Sequence, residues 1–168
     1  MVQESRGTNI IAVKTKIVNP KMIFDKIKEY SYNNLDPNKW YPMKQFTMLT
    51  DYIEKYLSGT VLKNIGSAII PEMKNAGILP QLTPLDFLKA LPQIYLEGSR
   101  GNNIGQWKLI KEEENHVIIE NSTMHNCILE EGVIMGGLKA YGARYMKVTQ
   151  SKCMKKGDNV CKFDIVWK

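Results

Sequence analysis

The sequence predicts an α+β fold, and three observations lead to that prediction. Apolar residues recur every three or four positions through the middle of the chain, which is the period of a buried helix face. After residue 98, β-branched and aromatic residues alternate around short polar turns, which indicates β-hairpins. The 168 residues are 43% hydrophobic and 24% charged, which is enough apolar material for one core. We therefore expect one domain over residues 1–168, with a strand and helical half at 1–97 and a sheet, a glycine helix and a cysteine hairpin at 98–168.

The first two elements follow from short local patterns. The segment NIIAVKTKIV, residues 9–18, mixes β-branched residues with alternating lysines, so it predicts an edge strand. Asn19 and Pro20 end that strand. The next segment, residues 21–30, has helical spacing and predicts a short helix.

Three helices are predicted in the middle of the chain. The stripe from Met43 to Leu57 is amphipathic. The run at residues 60–77 is helical in pattern, with Thr60 as a cap and Pro71 as a kink or stop. The third helix begins with Thr83 in the cap position, followed by a proline at the first helical position.

The second half of the chain predicts two hairpins on either side of a glycine-containing helix. The first hairpin pairs the runs around 107–110 and 117–119 across a polar turn. The helix occupies 125–142 and contains Gly132, Gly136 and Gly137 in its interior, so we expect another backbone to pack close to it. The closing hairpin pairs 143–153 with 160–167.

Charge and cysteine content exclude several classes of protein. The net charge is +6, but the lysines are scattered and do not cluster with aromatic residues, so we expect no nucleic-acid binding. No apolar stretch approaches the length of a membrane span, and the start of the chain lacks a signal peptide. Three cysteines is an odd number, which favours a reducing compartment. We therefore expect a cytoplasmic protein.

The cysteines form a candidate metal site. Cys153 and Cys161 are equidistant from Gly157, so symmetric pairing of the hairpin would place their Cβ atoms about 4.5–5.5 Å apart. Cys127, at the start of the glycine helix, would add a third ligand for a tetrahedral zinc ion. Two other interpretations stay open at this point, namely simple burial of three thiols and a disulfide between the two hairpin cysteines.

The spacing of these residues resembles that of the 4-vinyl reductase domain family, which belongs to the haem-NO-binding-related and TRAPP-like ligand-binding superfamily. The segment GSRGNNIGQW also resembles that family, and the likeness covers roughly residues 85–168. The motif has the form C-x4-G-x3-G-x-L…C-x7-C-x-F-x-I, and its residues are Cys127, Gly132, Gly136, Leu138, Cys153, Cys161, Phe163 and Ile165.

The resemblance implies an antiparallel sheet packed against a helical layer, often in a dimer. It also implies zinc held by the three cysteines and by a glutamate at the position that Gln150 occupies. An amide is a poor zinc ligand, and strand alternation points Gln150 away unless a bulge intervenes. Glu131 and His125 are the alternative fourth ligands, and we take Glu131 with the three cysteines as the predicted metal site.

The aromatic residues Phe87, Tyr95 and Trp107, together with nine methionines, predict an adaptable apolar pocket. The resemblance places a pocket for a small aromatic ligand between the helices and the sheet, near Trp107. The histidine that binds a phenolic hydroxyl in that family would fall near Ile78. We therefore expect a small apolar or aromatic ligand that is not a phenol.

These features predict a non-enzymatic sensory or accessory domain that binds a small molecule, carries a structural zinc and acts through a homodimer or a signalling partner protein. With only two histidines, His116 and His125, the chain has little material for acid–base or nucleophilic catalysis. The alternative is a TRAPP-like dimerising assembly module without a ligand. A tetrapyrrole-modifying enzyme and a haem-binding protein are weaker alternatives.

Overall fold

A computed structural model describes residues 2–168, which form six α-helices and seven β-strands. The strands are β1 (Glu4–Arg6), β2 (Trp40–Pro42), β3 (Ser99–Arg100), β4 (Trp107–Glu113), β5 (His116–Asn121), β6 (Lys147–Lys152) and β7 (Cys161–Val166). The helices are α1 (Gly7–Lys14), α2 (Pro20–Phe24), α3 (Met43–Tyr56), α4 (Gly59–Asn75), α5 (Pro84–Gly98) and α6 (Cys127–Ala140). Within residues 2–168, no helix has both the length and the apolar character that crossing a bilayer requires.

Four of the five strands of the second half form one antiparallel sheet, the large sheet, in the order β4-β5-β7-β6. Along β5 and β7 every second residue is buried, as expected when one face of a sheet covers a core. The buried side chains pack with α5 and α6 into the sheet cluster, which includes Phe87, Trp107, Ile119 and Phe163. The predicted α+β class, with an antiparallel sheet against helices, is confirmed.

A small sheet connects the two halves of the chain. Its order is β2-β1-β3, and Ser5 of β1 pairs with Tyr41 on one side and Ser99 on the other. The helices of the first half bury a separate group of side chains, the helix cluster, which includes Ile10, Val13, Leu49, Ile53 and Leu62. Both hairpins and the three central helices form as predicted.

Helices α4 and α6 pack at very short range, which confirms the expectation from the glycines. A Cβ atom added at Gly132 would lie 2.2 Å from the carbonyl oxygen of Lys63, and one added at Gly136 would lie 2.0 Å from that of Ser67. No side chain fits at these distances. The two helix backbones can approach because glycine has none.

The strand predicted at residues 9–18 is wrong, because residues 9–14 of this segment are helical and belong to α1. Its buried residues Ile10, Val13 and Ile17 are three and four positions apart, which is the period of a helix face. That face packs into the helix cluster. Lysines alternate with other residues in part of this segment, and that alternation resembles the pattern of an edge strand by accident.

Smaller corrections concern helix ends. Helix α2 is shorter than the predicted range 21–30. Ser58, and not Thr60, caps α4, since its side chain accepts a hydrogen bond from the Val61 N–H. Pro71 lies inside α4 without ending it. The predicted cap at Thr83 is confirmed, because its hydroxyl accepts the Asp86 N–H at 3.1 Å.

Candidate functional site

A cavity of about 580 Å³ lies between the helix cluster and the sheet cluster. Helices α1, α4, α5 and α6 contribute most of its wall, with side chains such as Ile11, Ile70, Leu91 and Val133. This volume is within the range of small-molecule sites, which are mostly apolar with a few polar groups that orient the ligand.

One buried polar group faces this cavity. Glu130 of α6 is 4% exposed, and its Oε1 lies 3.0 Å from Nδ1 of His125 and 3.2 Å from the hydroxyl of Thr123. The imidazole ring is held between two aromatic rings, 4.6 Å from the centroid of Phe46 and 5.0 Å from that of Tyr95. A buried carboxylate is stable only when such partners replace water. The pair therefore gives the wall a buried hydrogen-bonding position.

The ring of Tyr95 lines the cavity, and its hydroxyl forms a hydrogen bond with the backbone. The hydroxyl donates to the carbonyl of Ile104 at 2.5 Å. Burial and the negative charge of Glu130 raise the pKa of Tyr95 to about 12. The side chain therefore stays neutral and fixes the loop before β4.

The charged side chains in the wall are mainly acidic. Among residues 2–168, Arg6 is the only lysine or arginine that lines the cavity, and Glu72 and Glu97 line it as well. Glu72 is paired with Lys16 at 2.6 Å. An anionic ligand would thus meet one basic side chain and three carboxylates, including Glu130.

Two of the three predicted ligand-binding residues line the cavity, and the third does not. Tyr95 and Trp107 line the cavity, whereas Phe87 does not. The ring of Phe87 instead stacks on Tyr141 with centroids 5.5 Å apart, inside the sheet cluster. That Tyr95 and Trp107 bind a ligand stays a prediction.

Sequence reasoning missed two parts of the wall. The α1 residues, such as Ile11, were assigned to a strand. Glu130 was not singled out, and His125 was considered as a zinc ligand and for catalysis but not as part of a cavity wall. The signal that was available is Asn126, a good helix N-cap residue, which accepts the Ile128 N–H at 3.0 Å and places His125 and Glu130 on either side of the helix start.

The three cysteines form a second, separate cluster. Their sulfur atoms all lie within 4.8 Å of one another, and Cys127 Sγ is 3.6 Å from Cys153 Sγ. The last pair of the β6–β7 ladder is Lys152 with Lys162, so Cys153 and Cys161 follow it on facing strands. Cys161 Sγ also accepts the N–H of Met154 at 3.4 Å.

The cysteine thiols differ in acidity because they interact with each other. Interaction with Cys161, followed by burial, raises the pKa of Cys127. The interaction with Cys127, helped by the Met154 N–H, lowers the pKa of Cys161 against the effect of burial. Cys161 therefore carries more thiolate character than Cys127.

The predicted fourth ligands are differently placed. Glu131 pairs with Lys63 at 2.8 Å and is absent from the cysteine cluster. His125 is paired with Glu130. Gln150 does lie beside Cys127, because the register of β6 shifts between Gln150 and Lys152. The role of Cys127, Cys153, Cys161 and Glu131 as metal ligands stays a prediction.

A cleft of about 260 Å³ leads to the cysteine cluster, lined by Cys127, Cys161 and Lys155 among others. Lys155 forms ion pairs with Asp51 and Glu54 of α3. Burial raises the pKa of Glu54, but hydrogen bonds from Lys155 and Asn126 outweigh it and leave the pKa below its usual value. These contacts tie the closing hairpin to α3.

The helical half, the connecting small sheet and the cavity beside the large sheet together define an α+β fold that occurs in solved structures. No protein-family model matches this chain, and no curated protein matches it. Solved structures that match it include H-NOX proteins. One from Shewanella oneidensis, in the Fe(II)NO ligation state, has 13% sequence identity and a TM-score of 0.72, with 97% of this chain and 99% of that chain covered.

Two further H-NOX structures agree. The Fe(II) unliganded protein from K. algicida has 11% identity and a TM-score of 0.73, covering 97% of this chain and 96% of that chain. A mutant H-NOX protein from T. tengcongensis has 12% identity and a TM-score of 0.67, covering 96% of this chain and 94% of that chain. At such identities the likeness establishes the fold, which is the H-NOX fold.

These findings correct two predictions from the sequence. The 4-vinyl reductase identification is wrong, together with its TRAPP-like alternative, because the structures that share this fold are H-NOX proteins. The zinc cofactor is also wrong. Those proteins are described in Fe(II) and Fe(II)NO ligation states, so the metal that accompanies this fold in them is iron.

Proposed function

We propose that this chain is a non-enzymatic sensory domain that binds a small, mostly apolar molecule in the cavity between its two clusters. The cavity carries the proposal, since about 580 Å³ of mostly apolar space that is partly open to solvent has the size and the lining of a small-molecule site. A ligand with one hydrogen-bond donor would meet the carboxylate of Glu130. Binding would then be felt in α6, which connects the cavity to the closing hairpin.

Haem is the first ligand to test, because Fe(II) that binds NO or CO is characteristic of haem iron. A haem needs an axial ligand, usually a histidine. His116 lies on the outer face of the large sheet, 3.0 Å from Asp164. His125 is in the wall, and its pairing with Glu130 through Nδ1 leaves Nε2 as the nitrogen that could bind iron. Nε2 lies 3.5 Å from the hydroxyl of the buried Ser99, and the ring is packed against Phe46 and Tyr95, so an iron ion at Nε2 would have to displace the Ser99 contact.

Other donors do not replace histidine. The Tyr95 hydroxyl is committed to the Ile104 carbonyl. Met73 lines the cavity, but a methionine thioether serves haem iron as a partner to histidine. The two propionates of haem would meet only Arg6 as a basic side chain. The side chains in this arrangement do not fit a haem, so we favour an apolar organic ligand.

The cavity is tested with a matched pair of substitutions on α5. Ile94 lines the cavity, whereas Leu96 is 53% exposed and does not. The probe is N-phenyl-1-naphthylamine, an uncharged molecule whose fluorescence reports entry into an apolar site. We expect Ile94→Trp to weaken probe binding at least ten-fold because the indole fills the cavity, and Leu96→Trp to leave it unchanged. Equal effects of the two substitutions would contradict the proposal.

The haem question has its own experiment. The protein is purified from cells supplied with 5-aminolevulinic acid and then titrated with hemin, while the absorption spectrum and the native mass are recorded. We expect the spectrum of free hemin and no haem adduct. A stoichiometric haem adduct with a shifted Soret band, lost in His125→Ala and retained in His116→Ala, would overturn the choice of ligand.

Several predictions from the sequence are part of this proposal. They are the single domain over residues 1–168, the homodimer, the signalling partner protein and the cytoplasmic location. Native mass spectrometry of the purified protein measures the oligomeric state and any small molecule that co-purifies.

A further inference from the structure

Arg6, the basic side chain in the wall of the cavity, has few partners of its own. Its Nη2 donates to Oδ1 of Asn38 at 3.3 Å, and its Nε is buried without a hydrogen-bond partner. Among residues 2–168 the guanidinium takes part in no ion pair. A guanidinium carries five N–H donors in a planar fork. Most of these donors therefore have no partner within the protein.

The carboxylates in the same wall are differently placed. Glu72 is paired with Lys16 at 2.6 Å, and Glu130 is 3.0 Å from the imidazole of His125. Glu97 is exposed, so water and salt screen its charge. Two of the three carboxylates are thus engaged by protein groups and the third is screened, whereas the guanidinium keeps its charge and its donors for a ligand.

The guanidinium also lies at the positive end of the cavity. Arg6 directly precedes α1, whereas Lys16 and its partner Glu72 lie beyond the opposite end of that helix. The eight residues of α1 span about 12 Å, and the helix dipole is positive at the end that carries the guanidinium. Thr8 and Asn9 of the first turn line the cavity as well. This end is therefore both polar and favourable to an anion.

We propose that the cavity binds a monocarboxylic acid with an apolar body, and that Arg6 holds the carboxylate. Two N–H groups of a guanidinium donate in parallel to the two oxygens of a carboxylate. Such a pair would give the buried Nε a partner and remove the cost of leaving that donor unsatisfied. The apolar body would contact Ile70, Leu91 and Val133.

The number of basic side chains sets the number of acid groups. One carboxylate matches the single arginine of the wall, whereas the two propionates of haem exceed it. This inference rests on the proposed function, because it names the class of ligand for the same cavity.

The experiment compares three competitors with the same apolar chain, namely octanoate, octan-1-ol and octylamine. Each is titrated at pH 7 against the full-length protein with N-phenyl-1-naphthylamine bound, and the loss of fluorescence gives its dissociation constant. We expect octanoate to bind at least about ten-fold more tightly than octan-1-ol, because a charge-assisted, bidentate pair is stronger than a neutral hydrogen bond. We expect octylamine to bind no more tightly than octan-1-ol.

A matched pair of substitutions assigns this preference to one side chain. In Arg6→Gln we expect the ratio of octanoate affinity to octan-1-ol affinity to fall to about one. The control is Arg100→Gln in the same small sheet, where the arginine pairs with Glu4 at 2.7 Å and does not line the cavity. We expect the control to keep the wild-type ratio. Because each ratio compares two ligands on one variant, a change in the size of the cavity affects both alike.

Several results would overturn the inference. In the wild type, octanoate that binds no more tightly than octan-1-ol, or less tightly than octylamine, excludes a carboxylate site even where a variant does not fold. A preference for octanoate that persists in Arg6→Gln excludes the assignment to that side chain. A wild type that does not bind N-phenyl-1-naphthylamine contradicts the proposed function and this inference together. A wild type that binds the probe without a preference for octanoate contradicts this inference alone.

Discussion

The close contact between α4 and α6 predicts how Gly136→Ala changes the stability of the protein. The sign of that change distinguishes the effect of packing from the effect of helix propensity. Gly136 lies inside α6, where alanine is the better helix former by about 1 kcal/mol. Helix propensity alone therefore predicts that Gly136→Ala stabilises the protein. Packing predicts the opposite, because the new Cβ would lie 2.0 Å from the carbonyl oxygen of Ser67.

The magnitude follows from that distance. Ordinary contact begins at 3.4 Å, so the two backbones must separate by 3.4 − 2.0 = 1.4 Å. A carbonyl oxygen in a helix cannot rotate away as the end of a side chain can. Overpacking of this kind costs about 3 kcal/mol. After the propensity gain of about 1 kcal/mol, we expect a net loss of about 2 kcal/mol in the free energy of unfolding.

Urea unfolding followed by circular dichroism measures this loss. The matched control is Gly59→Ala at the start of α4, where the new Cβ would meet only the flexible end of Ile128 at 3.2 Å. We expect the control to change stability by less than about 0.5 kcal/mol. A Gly136→Ala variant as stable as the wild type, or more stable, would refute the close approach of the two helices.

Two further predictions concern polar contacts. Against the effect of burial, hydrogen bonding to Lys155 keeps the pKa of Glu54 below its usual value. The carboxylate therefore stabilises the fold above its ordinary pKa, and this stabilisation is lost as the pH falls through the lowered pKa. Glu54→Gln should cost about 1 kcal/mol at pH 7 in urea unfolding and less at pH 3, and the same cost at both pH values would contradict the ion pair. Tyr95→Phe removes the donor to the Ile104 carbonyl and should lower the free energy of unfolding by about 1–2 kcal/mol. Tyr145→Phe, at an 85% exposed position, should leave the free energy of unfolding unchanged. Equal losses of stability in the two variants would contradict the role of the Tyr95 hydroxyl.

The large sheet and the helices around it were predictable because each has a strong local pattern. Alternation along β7 and the cap at Thr83 are signals within single segments. The small sheet is different, since its strands are two or three residues long and come from three distant places. A strand of that length has no period to detect, and its pairing depends on the tertiary fold.

The site was only partly predictable for the same reason. Tyr95 and Trp107 face the cavity, but the α1 wall was hidden by the accidental alternation of lysines. The convergence of Cys127 with Cys153 and Cys161 followed from hairpin symmetry and helix docking. The identification built on it did not hold, because a short spacing motif says little about the fold of the other half of the chain.

The space between the helix cluster and the sheet cluster affects how the protein responds to hydrostatic pressure. Unfolding lets water fill internal voids, so the unfolded chain occupies less volume and hydrostatic pressure favours it. The space of about 580 Å³ is partly open to solvent, so only the portion that water does not fill counts as such a void, and compression should favour unfolding in proportion to that portion. A molecule that occupies that space would make the same chain resistant to compression.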